Sequence, residues 1–274
     1  MITKNMIFAE LTNRGFNVDV REVTKNGVKK EAFCIVDDNE KHNAIPTFYV
    51  DKVIQKAQEM NFSLNDIVDD ILEMHEKSLA NFNIDCMKDK EFILSHLSIG
   101  LQKESSEELI KRKCEFEGLE AYLFMKVTFN GIDGTIKLNG AMLDIANIKD
   151  DEAWKRAEKN LHEDTVIEPL TNYFKNIIGA DDFSELENYM FILTNKSKVK
   201  GASSVLDRKA IKKLGESRNI RRFVYLPSSI HESILIPADG SVDLEEFKSM
   251  VREVNRSVLN EEDKLIDNAY FLNV

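Results

Sequence analysis

The amino-acid sequence predicts an α+β fold, with mostly antiparallel sheet, hairpins and packed amphipathic helices. Extended apolar segments alternate irregularly with helical segments, which is typical of α+β proteins rather than of regular βαβ units. The dipeptides Asn26-Gly27 and Asp133-Gly134 lie between extended segments and predict tight hairpin turns. The 274 residues, of which 43% are hydrophobic, can bury the core of one large domain or of two lobes.

The first third of the chain predicts a short helix, a hairpin, an edge strand and two further helices. A helix ends near Gly15, and residues 16–36 form the hairpin around Asn26-Gly27. Pro46 restricts the next strand to an edge, because proline cannot donate to a ladder. The clearest helix covers residues 63–80, where Ser63 and Asp66 form a capping-box pattern and apolar residues recur with helical period. A further helix is predicted over residues 89–102.

The rest of the chain mixes strands and helices. Predicted strands cover 119–129, 134–145, 188–195, 221–227, 232–240 and 268–274. Predicted helices cover 150–164, 167–179, 203–215 and 243–259, with Asp150, Asp151 and Asp243 as caps. The polar stretch Lys103–Glu108 is the weakest point of the chain. It offers a division into lobes 1–103 and 109–274 as the alternative to a single unit over 1–274.

Charge and cysteine usage predict an acidic cytoplasmic protein without cofactor or metal. The formal net charge of -11 argues against general nucleic-acid binding, which needs basic contacts to phosphates. No apolar run approaches the ~18 residues of a membrane span, and the first residues do not form a signal peptide. The three cysteines are far apart and no CxxC pair exists, which fits a reducing compartment. The run His162–Asp164 could sample a metal, but contiguous residues cannot all face one ion.

One segment, Lys196–Arg222, reverses the overall charge and is called the basic segment below. It contains ten basic and two acidic residues. Such a basic surface can dock a phosphate or an acidic partner, and the alternatives are a solvated face or self-association against the acidic helix at 63–80. The predicted partner-binding residues are Arg208, Lys209, Lys212, Lys213, Arg221 and Arg222.

The stretch 225–240, YLPSSIHESILIPADG, contains the strongest candidate for catalysis. If the protein is an enzyme, the residues expected to act are Ser228, Ser229, His231 and Glu232. Against this, side chains alternate along a strand, so His231 and Glu232 would point to opposite faces. The stretch lacks a GxSxG nucleophile elbow and the second histidine of HExxH. The alternative is a structural hairpin.

Several segments together resemble a family of uncharacterised bacterial proteins, a domain of unknown function common in gut Gram-positive anaerobes and their mobile elements. They include VTKNGV, GTIKLNGAMLDIANIKDDEAWKRAEKNL, YMFILTNKSKVKGASSVL, FVYLPSSIHESILIP and MVREVNRSVLNEEDKLIDNAYFL, and span nearly the whole chain. Residues 98–125 depart most from the family pattern. The resemblance implies no activity, but it marks motif positions at Asn195, Gly201, Pro227, Ser228, Ser229, His231, Glu232, Glu253 and Asn255.

Three functional hypotheses follow. The first is a non-enzymatic, cytoplasmic binding or regulatory protein of a bacterium or its mobile elements, acting on a protein partner through the basic segment. The second is an enzyme of unknown reaction that uses the hairpin residues. The third is an acidic inhibitor of a nucleic-acid-binding or defence protein, which would use the acidic residues of the 63–80 helix.

Overall fold

The computed structural model describes residues 2–36, 46–79, 84–129, 132–172, 189–238 and 242–274. Helices and three antiparallel sheets in this part of the chain confirm the α+β fold class. Among the helices of these residues, none combines the length and the apolar character that crossing a membrane requires.

Contacts between residues divide the chain into two compact units. Unit 1 consists of Met1–Asp89 and Lys126–Thr135, and unit 2 of Lys90–Met125 and Ile136–Val274. The stretch Lys103–Glu108 falls within unit 2. These units therefore have other boundaries than the lobes considered from the sequence, and the division of the family unit into lobes stays a prediction.

In its described residues, unit 1 contains a three-stranded antiparallel sheet and three α-helices. The strands are β1 (Asn17–Lys25), β2 (Val28–Val36) and β3 (Thr47–Tyr49), in the order β1-β2-β3. The helices are α1 (Lys4–Asn13), α2 (Val50–Glu59) and α3 (Leu64–Leu79). The helices and the sheet share a core of Ile7, Leu11, Phe33, Ile35, Phe48, Val50, Val53, Ala57, Ile67, Val68 and Ile71.

Two local signals place these elements as the sequence predicts. Asn26 and Gly27 have φ values of 49° and 77°, so they form the two-residue turn that joins β1 to β2. At the start of α3, Ser63 N donates to Asp66 Oδ2 (2.8 Å) and Asp66 N donates to Ser63 Oγ (3.2 Å). This reciprocal pair confirms the predicted capping box.

A second sheet is built around a long central strand. Its strands are β4 (Leu97–Lys103), β5 (Lys111–Lys113), β6 (Leu119–Phe129) and β7 (Ile132–Lys137), and β6 pairs with each of the others. Gly100 lies opposite Tyr122, where an added Cβ would come within 2.6 Å of the ring carbon Cζ. The close approach of the Tyr122 ring therefore requires glycine at this point of β4.

The third sheet lies in unit 2 and has the order β12-β10-β11-β9-β8. Its strands are β8 (Thr165–Pro169), β9 (Phe191–Asn195), β10 (Arg222–Leu226), β11 (Ser233–Pro237) and β12 (Tyr270–Asn273). Alternate residues of β10 face opposite sides. Val224 packs with Val251 in one apolar cluster, and the Tyr225 ring contacts the Phe116 ring at a tilt of 45°, their centroids 4.6 Å apart. Both faces of this sheet are therefore covered.

Helices complete the chain, and short 3₁₀ helices cover Ile84–Lys88 and Gly201–Leu206. The α-helices are α4 (Lys90–His96), α5 (Gly140–Ile145), α6 (Asp150–Asp164), α7 (Arg208–Arg218) and α8 (Leu244–Val258). Helix α8 begins at the predicted cap, where Asp243 Oδ1 accepts from Glu245 N (2.9 Å). Helix α6 has the predicted span, but its N-cap is Lys149, and Asp150 and Asp151 lie in its first turn.

Four predicted elements are corrected. The helix predicted over 89–102 is α4 followed by strand β4, because Leu97, Ile99 and Leu101 alternate with strand period and pair with β6. The strand predicted over 134–145 ends at Lys137, because Asn139 caps α5 by accepting from Met142 N (3.1 Å).

The remaining two corrections lie on either side of β9. The helix predicted over 167–179 begins later, because residues 167–169 belong to strand β8; residues 170–172 are helical, and residues 173–179 lie outside the described part of the chain. The helix predicted over 203–215 is a 3₁₀ helix followed by α7, and it ends past Gly215, at Asn219 in the left-handed region (φ 55°).

Candidate functional site

The segment between β10 and β11 carries the four residues predicted for catalysis. Strand β11 begins at Ser233, so His231 and Glu232 precede it. Strand alternation therefore does not apply to this pair, so it gives no reason to expect their side chains on opposite faces. Both line one cleft of about 270 Å³, together with Ser229, Thr194 and Asp263. Ser228 is not part of its lining.

The imidazole of His231 has a contact at each nitrogen. Nδ1 accepts a hydrogen bond from the backbone N–H of Lys200 (3.3 Å), and Nε2 lies 3.6 Å from Asp263 Oδ1. A ring nitrogen that accepts a hydrogen bond carries no proton, so the neutral imidazole has its proton on Nε2, on the side of Asp263. About a third of the His231 side chain is exposed.

Neither serine bonds to this ring. Ser229 Oγ accepts from the backbone N–H of His231 (3.0 Å) and is buried. Ser228 Oγ donates to Asn255 Oδ1 (2.6 Å), and Asn255 Nδ2 donates to Asp267 Oδ1 (2.7 Å). A serine nucleophile needs its base within about 2.6–3.2 Å. The two serines hold the loop, and among the described contacts neither is hydrogen-bonded to the His231 ring.

Further motif positions support the loop from the side of β9. Thr194 Oγ1 donates to the backbone oxygen of His231 (2.9 Å). The side chain of Asn195 bonds to both backbone groups of Val199, at 2.8 Å and 3.2 Å. An added Cβ at Gly201 would lie 2.6 Å from Asn195 N and 2.7 Å from His231 O. The resemblance marked Asn195 and Gly201, and the structure gives them a positioning role.

Lys200 joins this loop to the second sheet, a contact that the sequence did not indicate. Lys200 has left-handed backbone geometry (φ 54°), which aims its N–H at His231. Its Nζ donates to Tyr122 Oη (3.1 Å) and lies 4.8 Å from the centroid of the Phe124 ring. Burial raises the pKa of Tyr122, so its hydroxyl stays protonated. No local pattern signals this pairing of residues 78 positions apart.

The six predicted partner-binding residues do not form one site. Arg208, Lys209, Lys212 and Lys213 are exposed on α7, as predicted. Lys212 and Arg221 line a separate depression of about 200 Å³. The guanidinium of Arg222 lies 4.3 Å from the centroid of the Phe271 ring on β12.

Arg208 and Lys209 line a larger cleft of about 680 Å³ within unit 2, called the basic cleft below. Its walls come from β5, from α6 and from the start of α7. The guanidinium of Arg112 lies 4.7 Å from the centroid of the Trp154 ring, and its Nη2 donates to Asp151 Oδ1 (2.8 Å). Trp154 is otherwise buried. Sequence reasoning missed Arg112 because it lies 96 positions before Arg208, outside the basic segment.

A buried carboxylate connects two walls of the basic cleft. Asp207 Oδ1 accepts from Ala210 N (3.1 Å) and caps α7, and its Oδ2 lies 2.8 Å from His162 Nδ1 on α6. The Asp207 side chain is 4% exposed. Because one carboxylate bonds to both helices, it fixes Arg208 and Lys209 relative to α6.

The lining of the basic cleft contains both cations and carboxylates. The basic residues are Arg112, Lys113, Lys155, Lys159, Arg208 and Lys209, and the acidic residues are Glu115, Glu158, Glu163 and Asp207. Among the described residues, no group of three or more His, Cys, Asp or Glu side chains is arranged to hold a metal ion. The cation excess favours an anionic ligand.

The comparisons with known proteins decide the family. A family model described as a family of unknown function, DUF5688, matches residues 3–273. The chain belongs to the DUF5688 family. The resemblance to a domain of unknown function is therefore confirmed over nearly the whole chain. Neither the curated proteins nor the solved structures include a match. Membership in DUF5688 assigns no activity to either cleft.

Proposed function

We propose that this DUF5688 chain is a non-enzymatic binding protein that takes up an anionic partner in the basic cleft. One observation carries the proposal. Arg208 and Lys209, predicted from the sequence as partner-binding residues, line the same cleft as four further basic residues from β5 and α6. Convergent charges in a concave site raise the local concentration of an oppositely charged ligand.

A comparison of two charge reversals tests this proposal. The double variant Lys155→Glu/Lys209→Glu changes the lining of the basic cleft. The matched control Lys212→Glu/Lys213→Glu makes the same charge change at exposed residues of α7, outside that lining. Affinity capture of the tagged protein from its host, read by mass spectrometry and by absorbance of nucleic acid, measures the outcome.

We expect the cleft variant to capture at least about tenfold less partner than the unchanged protein, and the control to capture almost as much. The reverse pattern would assign binding to the exposed side of α7 and reject the basic cleft. Equal capture by all three proteins would reject a charge-based function altogether.

The same proposal includes a bacterial cytoplasmic location, in the cell's own proteome or on a mobile element. Cys34, Cys86 and Cys114 are all free thiols, which supports a reducing compartment. Fractionation of the native host, followed by immunoblotting, tests this location, and recovery outside the cytoplasmic fraction would contradict it.

An enzyme is the second candidate, since Ser229, His231 and Glu232 line one cleft with Asp263. This hypothesis requires that Ser229 gain the His231 ring as a base when substrate binds. A fluorophosphonate probe tests it, because an activated serine oxygen attacks the phosphorus of the probe, expels fluoride and becomes phosphonylated. Labelling that Ser229→Ala abolishes would support the enzyme, and absence of labelling would count against it.

The acidic-inhibitor hypothesis has less support. It needs the acids of α3 as a free surface, but several of them pair with bases of unit 1. Asp70 bonds to Lys56 (2.7 Å), Asp69 to Arg14, and Glu73 to Lys77. These pairs reduce the field that a mimic of nucleic acid would present.

A further inference from the structure

We propose that the ligand of the basic cleft is a nucleotide, whose base stacks on Arg112 and whose phosphates bind lysines of α6 and α7. This inference rests on the proposed function and names the chemical class of the anion. It follows from three properties of the lining: a guanidinium over an aromatic ring, lysines without a short ion pair, and a mixture of cations with carboxylates.

The first property is a flat cationic surface. A guanidinium group is planar and stacks on aromatic rings. The Trp154 ring covers one side of Arg112, at 4.7 Å, and Asp151 holds its Nη2. The Arg112 side chain is still 45% exposed and lines the cleft. A second planar ring, such as a nucleobase, can therefore stack on the outer side of the guanidinium, as single-stranded bases do on arginine.

The second property is a set of cations available to phosphate. Lys155 and Lys209 line the cleft and have no ion-pair partner among the residues that the structure describes. The ion pairs of Lys159 with Glu163 and of Arg208 with Glu115 are long, each 3.8 Å, although Arg208 Nη2 also donates to the backbone oxygen of Asn273 (3.0 Å). These separations exceed the usual 2.7–2.9 Å of a charge-assisted hydrogen bond. A phosphate can therefore engage these side chains without breaking a short ion pair.

The third property separates a nucleotide from other anions. Carboxylates in the lining, such as Glu158 and Glu163, would repel an acidic peptide, which spreads its charges along its length. A nucleotide concentrates its charge at the phosphates and offers ribose hydroxyls, and carboxylates commonly accept hydrogen bonds from them. The volume of about 680 Å³ is in the range of small-molecule sites, roughly 300–1,000 Å³.

The chain provides its own reporter for the test. Trp154 is the one tryptophan of the sequence and lies in the wall of the cleft. Its fluorescence is therefore a local reporter of occupancy of this cleft. We would titrate the full-length protein with ATP, GTP, tripolyphosphate and an oligoglutamate peptide, and confirm each affinity by calorimetry, because nucleobases absorb light.

We expect saturable binding of ATP or GTP, with tripolyphosphate at least about tenfold weaker because it has no ring to stack. Arg112→Lys keeps the charge but removes the stacking plane. It should lower the affinity for the nucleotide about tenfold and change the affinity for tripolyphosphate little. Lys212→Glu/Lys213→Glu should leave both affinities unchanged, and thermal melting verifies that each variant is folded.

The outcomes separate this inference from the proposed function. Equal affinity for nucleotide and tripolyphosphate would overturn the inference that the ligand is a nucleotide. Tight binding of the oligoglutamate peptide alone would do the same. Either result would leave the proposal of an anion-binding protein in place. If none of the four anions binds, the inference of a nucleotide ligand is overturned. If Lys155→Glu/Lys209→Glu then also captures as much partner as the unchanged protein, the proposed function is overturned as well.

Discussion

At the scale of single residues, the loop around His231 is fixed by crowded backbone. Gly201 is packed between Thr194, Asn195 and His231, and the two nearest backbone atoms cannot move without disturbing β9 or the loop. The prediction from the resemblance named Gly201 but gave no reason for it. The reason is the contact between three chain segments, which only the folded structure brings together.

Gly201→Ala should destabilise the protein, because its Cβ would lie 2.5 Å from Thr194 Oγ1 and within 2.7 Å of two backbone atoms. We expect a loss of about 1–3 kcal/mol in the free energy of unfolding, as for other overpacked sites. Urea denaturation measures it. Gly140→Ala is the matched control, since nothing lies within 4 Å of its added Cβ. Equal stability of the two variants would contradict the crowding.

Glu120 provides a pH-dependent test at the same scale. Burial opposes its ionisation, but hydrogen bonds from Gln102 (2.8 Å), Ser105 (2.9 Å) and Lys111 outweigh burial and lower the pKa of Glu120. A lowered folded-state pKa stabilises the protein above the unfolded-state value, about 4.3, and this contribution disappears as the pH falls.

Glu120→Gln should therefore destabilise the protein at pH 7 and much less at pH 3. Urea denaturation of both proteins at the two pH values measures the difference. If Glu120→Gln lowers the free energy of unfolding by the same amount at both pH values, the charge of Glu120 contributes nothing to stability.

At the scale of elements, hydrophobic period and caps predicted most helices and strands, and the errors occur where two elements adjoin. Strand β4 follows α4 without a loop, and α5 follows β7 after Leu138 and Asn139. In both places apolar residues continue across the junction, so periodicity alone cannot locate it. Asn139 starts α5 as its N-cap, whereas the end of α4 depends on pairing with β6, which no local pattern contains.

Asp207 is the cap that divides the predicted helix at 203–215. Asp207→Ala should cost about 0.5–2 kcal/mol of stability, because α7 loses its N-cap and His162 loses its partner. Asp207→Asn retains the capping oxygen and should lose less. Urea denaturation of the two variants measures the difference, and a larger loss for asparagine than for alanine would show that capping is not the main role.

At the scale of the whole molecule, the irregular alternation of extended and helical segments predicted the fold class, and the resemblance predicted the family. The candidate site was predictable only in part. Arg208 and Lys209 stood out because basic residues cluster in the sequence. Arg112 and Trp154 did not, because their guanidinium–ring contact joins positions 42 apart. Residues that come into contact only through tertiary packing form no recognisable pattern of spacing in the sequence.

The thiols give a prediction for the whole chain. Burial raises the pKa of Cys34, Cys86 and Cys114, so each is less ionised at neutral pH than a free cysteine. Because the thiolate is the reactive form, iodoacetamide should modify the native protein slowly at pH 7.5. Mass spectrometry should show three rapid alkylations in denaturant. Equally rapid alkylation of the native protein would contradict the burial of these thiols.

The strand order of the five-stranded sheet has a consequence for solubility. Within the described residues, β8 and β12 each have one neighbouring strand, so they are its edges, where another chain could add a strand and start aggregation. Strand β8 ends with Pro169, which has no N–H to donate, so this edge is blunted. On β12, Phe271 is 39% exposed and Arg222 places its charge over the ring. Arg222 is therefore expected to act as a gatekeeper residue that hinders aggregation of concentrated protein by strand addition at β12.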